Sequence, residues 1–218
     1  MLIIFDLDDT LIDTSGFVTP LKMKVCLEQL VASGVFVPDF SSAYEELLVQ
    51  SERAAKSKDA LIAFAKSLSA DERQIEAALH ELTTPLPAMF RVPMTPHAQE
   101  ILEFYKDLCP LAIVTGGHPP FQLDKLKKAG IDSSFFSMIG IPEDSKKKPY
   151  YQALQEKFCL PPQEIWVCGD RIEMDLKPAF ELGFKTVHMR WGRGALLQTE
   201  KWIHHSINDL SELKEIIK

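Results

Sequence analysis

Three aspartates, Asp6, Asp8 and Asp9, fall within four residues at the end of the apolar run "LIIF", in "LIIFDLDDTL". On an extended chain Asp6 and Asp8 point to one side and Leu7 to the other, which makes a paired-carboxylate site. Two like charges 4 Å apart cost about 1 kcal/mol in water and about 4 kcal/mol at an effective dielectric near 20, so such a site calls for a cation. A calcium loop counted from Asp6 fails, because its sixth position is Leu11 and its twelfth is Phe17, where glycine and glutamate are required. The bland reading is an acidic turn after a strand.

Three later stretches carry related chemistry. In "IVTGGHPP" an apolar strand ends in Thr115, Gly116 and Gly117 permit close backbone approach, and Pro119 or Pro120 can open a helix. A hydroxyl and free N–H groups at a helix start make an oxyanion cradle; His118 reads as a loop residue. In "SKKKPYY" one of Lys146, Lys147 and Lys148 can supply the compensating ammonium, the other two facing solvent. In "IWVCGDRIEMD" a buried strand delivers Asp170, with Asp175 five residues on, hard oxygen ligands suited to Mg2+. Arg171 between them can meet substrate or solvent.

The elements that must hold these residues follow from hydrophobic patterning. Runs apolar on both faces at 2–5, 111–115, 135–140, 165–170 and 185–189 predict buried parallel strands. Helical patterns alternate with them, including a last helix in "INDLSELKEIIK" capped by Asn208 or Asp209, so the fold class is α/β, a doubly wound parallel sheet. Residues 15–93 hold four helical patterns and no strand, closed by "TTPLPAMFRVPMTP". The predicted organisation is an α/β core over 1–14 and 94–218 with an all-helical insert over 15–93. All four chemical features then sit at the carboxyl ends of strands, where open α/β sheets bind ligands.

Composition narrows the class. With 46% hydrophobic and 25% charged residues the chain is ordinary globular material, and a net charge of -7 argues against nucleic-acid and anionic-membrane partners. Cys26, Cys109, Cys159 and Cys168 form no C-x-x-C pair, which speaks against zinc and a disulfide framework and for a cytoplasmic protein. The first apolar run is too short for a signal peptide, and no stretch reaches the roughly 20 residues of a spanning helix.

Taken in order, "DLDDT", Thr115 after a strand, Lys148 before Pro149, and "GDRIEMD" resemble the four motifs of the haloacid dehalogenase superfamily. The insert resembles that superfamily's first class of helical cap. The resemblance implies a phosphatase acting on a small soluble phosphomonoester, with Asp6 as nucleophile and Asp8 as acid and base. It implies that Thr115, Gly116 and Lys148 hold the phosphoryl oxygens. It also implies Mg2+ bound by Asp6, the main-chain carbonyl of Asp8 and Asp170, with Asp175 either a further ligand or a support behind the ligands. Thr10 resembles phosphatases more than mutases, and "FQLDKLKKAGI" resembles the branch acting on nucleotides and acylated sugar acids. Asp9 stands where glycine is commoner, and Gly116 where asparagine is frequent. A phosphomutase and an inactive phospho-ligand-binding module are the alternatives.

Overall fold

In the computed structural model, which describes residues 1–217, strand β1 (Leu2–Phe5) is followed by four helices, α1 (Thr19–Ala32), α2 (Phe40–Arg53), α3 (Ser57–Ser67) and α4 (Glu72–Thr83). After them come α5 (Ala98–Tyr105), β2 (Leu111–Val114), α6 (Pro119–Ala129), β3 (Phe136–Gly140), α7 (Lys148–Phe158), β4 (Ile165–Gly169), α8 (Lys177–Phe180), β5 (Lys185–Met189), β6 (His205–Ile207) and α9 (Leu213–Ile216). The contacts divide the chain into two compact units, one of Met1–Thr14 with Leu86–Lys218 and one of Ser15–Pro85.

The first unit is built on one six-stranded sheet in the order β3-β2-β1-β4-β5-β6, with every pairing parallel. Central β1 has both edges taken, Ile4 facing Ala112 of β2 and Val167 of β4. It is buried on both faces as well, which is why it reads "LIIF" without alternation. Leu2 and Ile4 join Val114, Val167, Leu154, Leu176 and Phe184 in one core layer. Burying a side chain of this size stabilises by roughly 1.5–3 kcal/mol, so β1 anchors whatever follows it. The strand order reverses between β1 and β4, and the crevice outside their carboxyl ends is the expected place for a ligand.

The second unit is helical throughout. Met23, Cys26, Leu27 and Leu30 repeat at helical spacing along α1 and meet Leu47, Leu61, Phe64, Ile75 and Ala78 from the other three helices. Asp39 caps α2 by accepting from Ser42 N at 2.6 Å, and Asp71 with Gln74 forms a reciprocal capping box on α4. The buried Lys22 ammonium donates to the carbonyls of Glu81 (2.9 Å) and Thr84 (2.5 Å), where the α4 dipole favours a cation.

Three expectations need adjusting. The helical unit closes at Pro85 rather than at 93, because Leu86 and Val92 are buried in the α/β unit, with Leu86 N bonded to Asp124 Oδ2 and Val92 N to Lys128 O. Strand β6 lies in a stretch with no apolar run, since two of its three residues are exposed. The tail helix is shorter than its pattern: Asp209 caps a 3-10 turn, Leu210–Glu212, ahead of the brief α9. Among the described residues the cysteines are free thiols and no helix is long and apolar enough to cross a membrane.

Replacing the Asp71 cap by alanine is expected to destabilise the helical unit by about 1 kcal/mol. Urea unfolding followed by circular dichroism reads this as an earlier midpoint.

Candidate active site

The ladder that holds β1 runs one residue past its end: Asp6 N donates to Cys168 O of β4 at 2.9 Å. The chain then folds over Leu7, whose carbonyl accepts from Leu11 N (3.0 Å) and Ile12 N (3.1 Å). Within this turn Asp9 adopts a left-handed conformation, φ 55°. Glycine does that most easily, but a short polar side chain tolerates it, which accounts for aspartate at this position. Thr10 is fully buried beside it. The result separates Asp6 from Asp8, whose carboxylates enter different surroundings.

Asp6 meets Asp170, just past β4, and Asp175, in the π turn Ile172–Leu176. One oxygen of each lies within 4.8 Å of the others, and all three residues are buried. Each such pair of ionised groups costs about 3–4 kcal/mol at an effective dielectric near 20. Glycine at 169 is what admits Asp175: a Cβ there would stand 2.6 Å from Asp175 Oδ2. Asp175 is held by the Arg171 N–H at 2.9 Å on Oδ2.

The compensating ammonium belongs to Lys147. Its Nζ lies 2.5 Å from Asp6 Oδ1 and 2.6 Å from Asp175 Oδ1, and its side chain is 2% exposed. This corrects the assignment of Lys148, which is 43% exposed and pairs with Glu181 at 2.7 Å. The helix start decides between them. Lys148 is the first residue of α7, ahead of Pro149, and its side chain leaves on the outer face; Lys147, the cap residue, turns inward. Lys146 pairs with Asp144 in solvent.

Asp8 has its own partners. Lys125 and the Thr14 hydroxyl both donate to its Oδ1, and Gln122 Nε2 donates to Oδ2 at 2.9 Å. The same Gln122 amide reaches Thr115 Oγ1 and Gly116 O, each at 2.8 Å, and so ties the end of β2 to Asp8. Thr115 N and Gly117 N are bonded to Gly140 O and Pro142 O, whereas among the described residues nothing accepts from Gly116 N. Gly116 must be glycine because a Cβ would meet Ser145 Oγ at 2.9 Å. His118 is exposed at the start of α6.

Gln122 and Lys125 are not read as site residues from the sequence, because polar side chains in a helical pattern are usually solvated. Their signal is the three-residue spacing on the helix that follows Thr115, which stacks them on one face.

These surroundings drive the carboxyls apart. Burial, then Asp175 and Asp8, raise Asp6 to about 7 against the pull of Lys147. Burial, with Asp175 and Asp6, raises Asp170 well above the carboxylate range. For Asp8 burial pushes upward, but Lys125 and the hydrogen bonds outweigh it, and the group lies below its ordinary value. Three carboxylates against one ammonium leave two negative charges if all are ionised, and Asp170 Oδ1 is buried without a partner. A hard divalent cation fits that set.

A family model of haloacid dehalogenase-like hydrolases matches residues 1–183. The chain belongs to this family. It is a hydrolase by that membership. Its relatives include proteins described as glyceraldehyde 3-phosphate phosphatase from Pyrococcus furiosus, 27% identical over 99% of this chain and 92% of that one, and from Methanocaldococcus jannaschii, 28% identical over 99% and 96%. Among solved structures, the HAD-hydrolase YfnB of Bacillus subtilis, bound to magnesium, superposes with a TM-score of 0.73 at 18% identity, covering 100% of this chain and 98% of that one. A HAD phosphatase from Thermococcus onnurineus superposes at 0.68 and 22%, covering 99% and 97%. Both share the fold.

The raised Asp6 carboxyl sets a linkage. Its folded value is near 7 against 3.8 for the free group, so the stability it contributes without a cation is present below about pH 4 and lost as pH rises toward 7. A cation displacing that proton binds more tightly over the same rise. Calorimetry with Mg2+ between about pH 6 and 8 is expected to show increasing affinity and proton release; affinity that is flat with pH, with no proton released, contradicts the assignment.

Proposed function

We propose that this chain is a cytoplasmic, Mg2+-dependent phosphatase of a small phosphomonoester that works through an aspartyl-phosphate on Asp6. The observation that carries the reading is the pairing of two unlike carboxylates: Asp6 beside Lys147, Asp170 and Asp175, and Asp8 held apart by Lys125 and Gln122. Support also comes from the phosphatase relatives, which span nearly the whole chain.

Lys147 fixes Oδ1 of Asp6 and leaves Oδ2 to attack phosphorus. As the Asp6–phosphorus bond forms, the bond to the ester oxygen breaks, and the departing alkoxide needs a proton. Two phosphoryl charges arriving beside Asp8 favour its protonated form, which then gives that proton to the leaving oxygen. In the second half Asp8, now a carboxylate, takes a proton from water as the water oxygen attacks phosphorus. Inorganic phosphate leaves and Asp6 is regenerated. Thr115, the Gly116 N–H and Lys147 stand to hold the phosphoryl oxygens. Mg2+ would be held by Asp6, Asp170, Asp175 and the carbonyl of Asp8, where it supplies positive charge to the carboxylates and to the transferring group.

The helical unit Ser15–Pro85 is proposed as the cap that selects the substrate, and a three-carbon phosphate such as glyceraldehyde 3-phosphate is the first candidate, since that is what the relatives are named for.

Phosphate release with Mg2+ present tests the reading. Asp6→Asn is expected to abolish turnover, and Lys147→Met to lower kcat by about 10²–10³-fold. Lys148→Met removes only an exposed ion pair and is expected to change kcat by less than about twofold. Equal activity in wild type and Asp6→Asn overturns the mechanism.

A further inference from the structure

Gln122 and Lys125 lie one turn apart on α6 and are almost wholly buried, at 2% and 3% exposure. Neither side chain bonds to the backbone of α6. Lys125 Nζ is spent on Asp8 Oδ1 and sits 5.2 Å from the centre of the Phe121 ring, while Gln122 bridges Asp8, Thr115 and Gly116. Burying an ammonium is costly unless a carboxylate meets it, so a lysine serving only to fill this face would be a poor choice beside leucine or methionine.

We propose that Gln122 and Lys125 are positioning residues for the proton transfer, holding Asp8 so that Oδ2 serves the leaving oxygen and orienting the Thr115 hydroxyl toward the phosphoryl group. The inference rests on the phosphatase reading and deepens it. Asp8 Oδ1 already accepts from an ammonium and a hydroxyl, which leaves Oδ2, with its single amide donor, as the oxygen able to carry a proton. At Thr115 the Gln122 N–H occupies a lone pair of Oγ1, so the hydroxyl donates its own proton elsewhere. One amide thereby sets the acid and a phosphoryl donor in register with each other. Lys125 keeps the carboxylate from rotating out of that register.

A role in proton transfer predicts that damage grows with the basicity of the leaving group, which a purely structural role does not. The probes are para-nitrophenyl, phenyl and para-methoxyphenyl phosphate, similar in shape and increasing in leaving-group basicity. In Gln122→Met and Lys125→Met, kcat/KM is expected to fall about tenfold more for the para-methoxyphenyl ester than for the para-nitrophenyl ester, relative to wild type. Lys125→Arg, which keeps the charge, is expected to restore the wild-type ratio. The ratio is read within one preparation, so a variant that folds only in part still reports it. Equal losses for all three esters, or none, overturn the inference and leave the phosphatase reading standing. A wild-type protein that releases no phosphate from these three or from glyceraldehyde 3-phosphate, with Mg2+ present, overturns both.

Discussion

The buried contact of Lys147 with Asp6 and Asp175 is the interaction on which the rest of the site depends. Burial alone would drive the ammonium toward neutrality, yet Asp175 and Asp6 more than reverse that and keep it charged. Without this cation, Asp6, Asp170 and Asp175, whose oxygens lie within 4.8 Å of one another, would have only protonation to relieve their repulsion. Removing one partner from a buried pair of this kind costs about 3–5 kcal/mol, because the survivor is left uncompensated. The surrounding fold is arranged to make the contact unavoidable. β1 and β4 fix the backbone of Asp6, glycine at 169 lets Asp175 approach, and Tyr151, one turn along α7, donates to Asp175 O at 3.2 Å.

A second separation gives the site its direction. Asp6 and Asp8 are two residues apart, but the turn over Leu7 sends one into a charge-dense, desolvated cluster and the other to a lysine, a threonine and an amide. One carboxyl is raised and the other lowered. Paired groups whose surroundings push them apart in this way can divide nucleophile from proton carrier within a single loop.

Much of this was legible from the amino acids. Five strands announced themselves as short apolar runs: β1, β2 and β4 are buried along their whole length and β5 at all but Lys185, while β3, at the sheet edge, is buried only at its two ends; β6 did not, since only Ile207 of its three residues is buried. That Asp6, Asp170 and Asp175 are brought together followed from position: each was expected at or beyond the carboxyl end of an apolar strand, although an acidic turn read equally well for "DLDDT" alone. The lysine was not readable, because consecutive helical positions differ by about 100° in direction, and three lysines in a row can be told apart only by where α7 begins. Gln122 and Lys125 were hidden by their chemistry, which in a helix ordinarily marks the solvent face. The end of the helical insert was misplaced by eight residues because 86–93 has no regular element, and its membership is decided by the burial of Leu86 and Val92.

The central claim is that a side-chain oxygen of this chain captures the phosphoryl group. Rapid acid quenching during turnover of a radiolabelled phosphomonoester with Mg2+ present, followed by peptide mapping, tests it directly. Label on the peptide carrying Asp6, labile to hydroxylamine as an acyl phosphate is, is the expected result. Turnover with no labelled peptide, or with label on another residue, contradicts it.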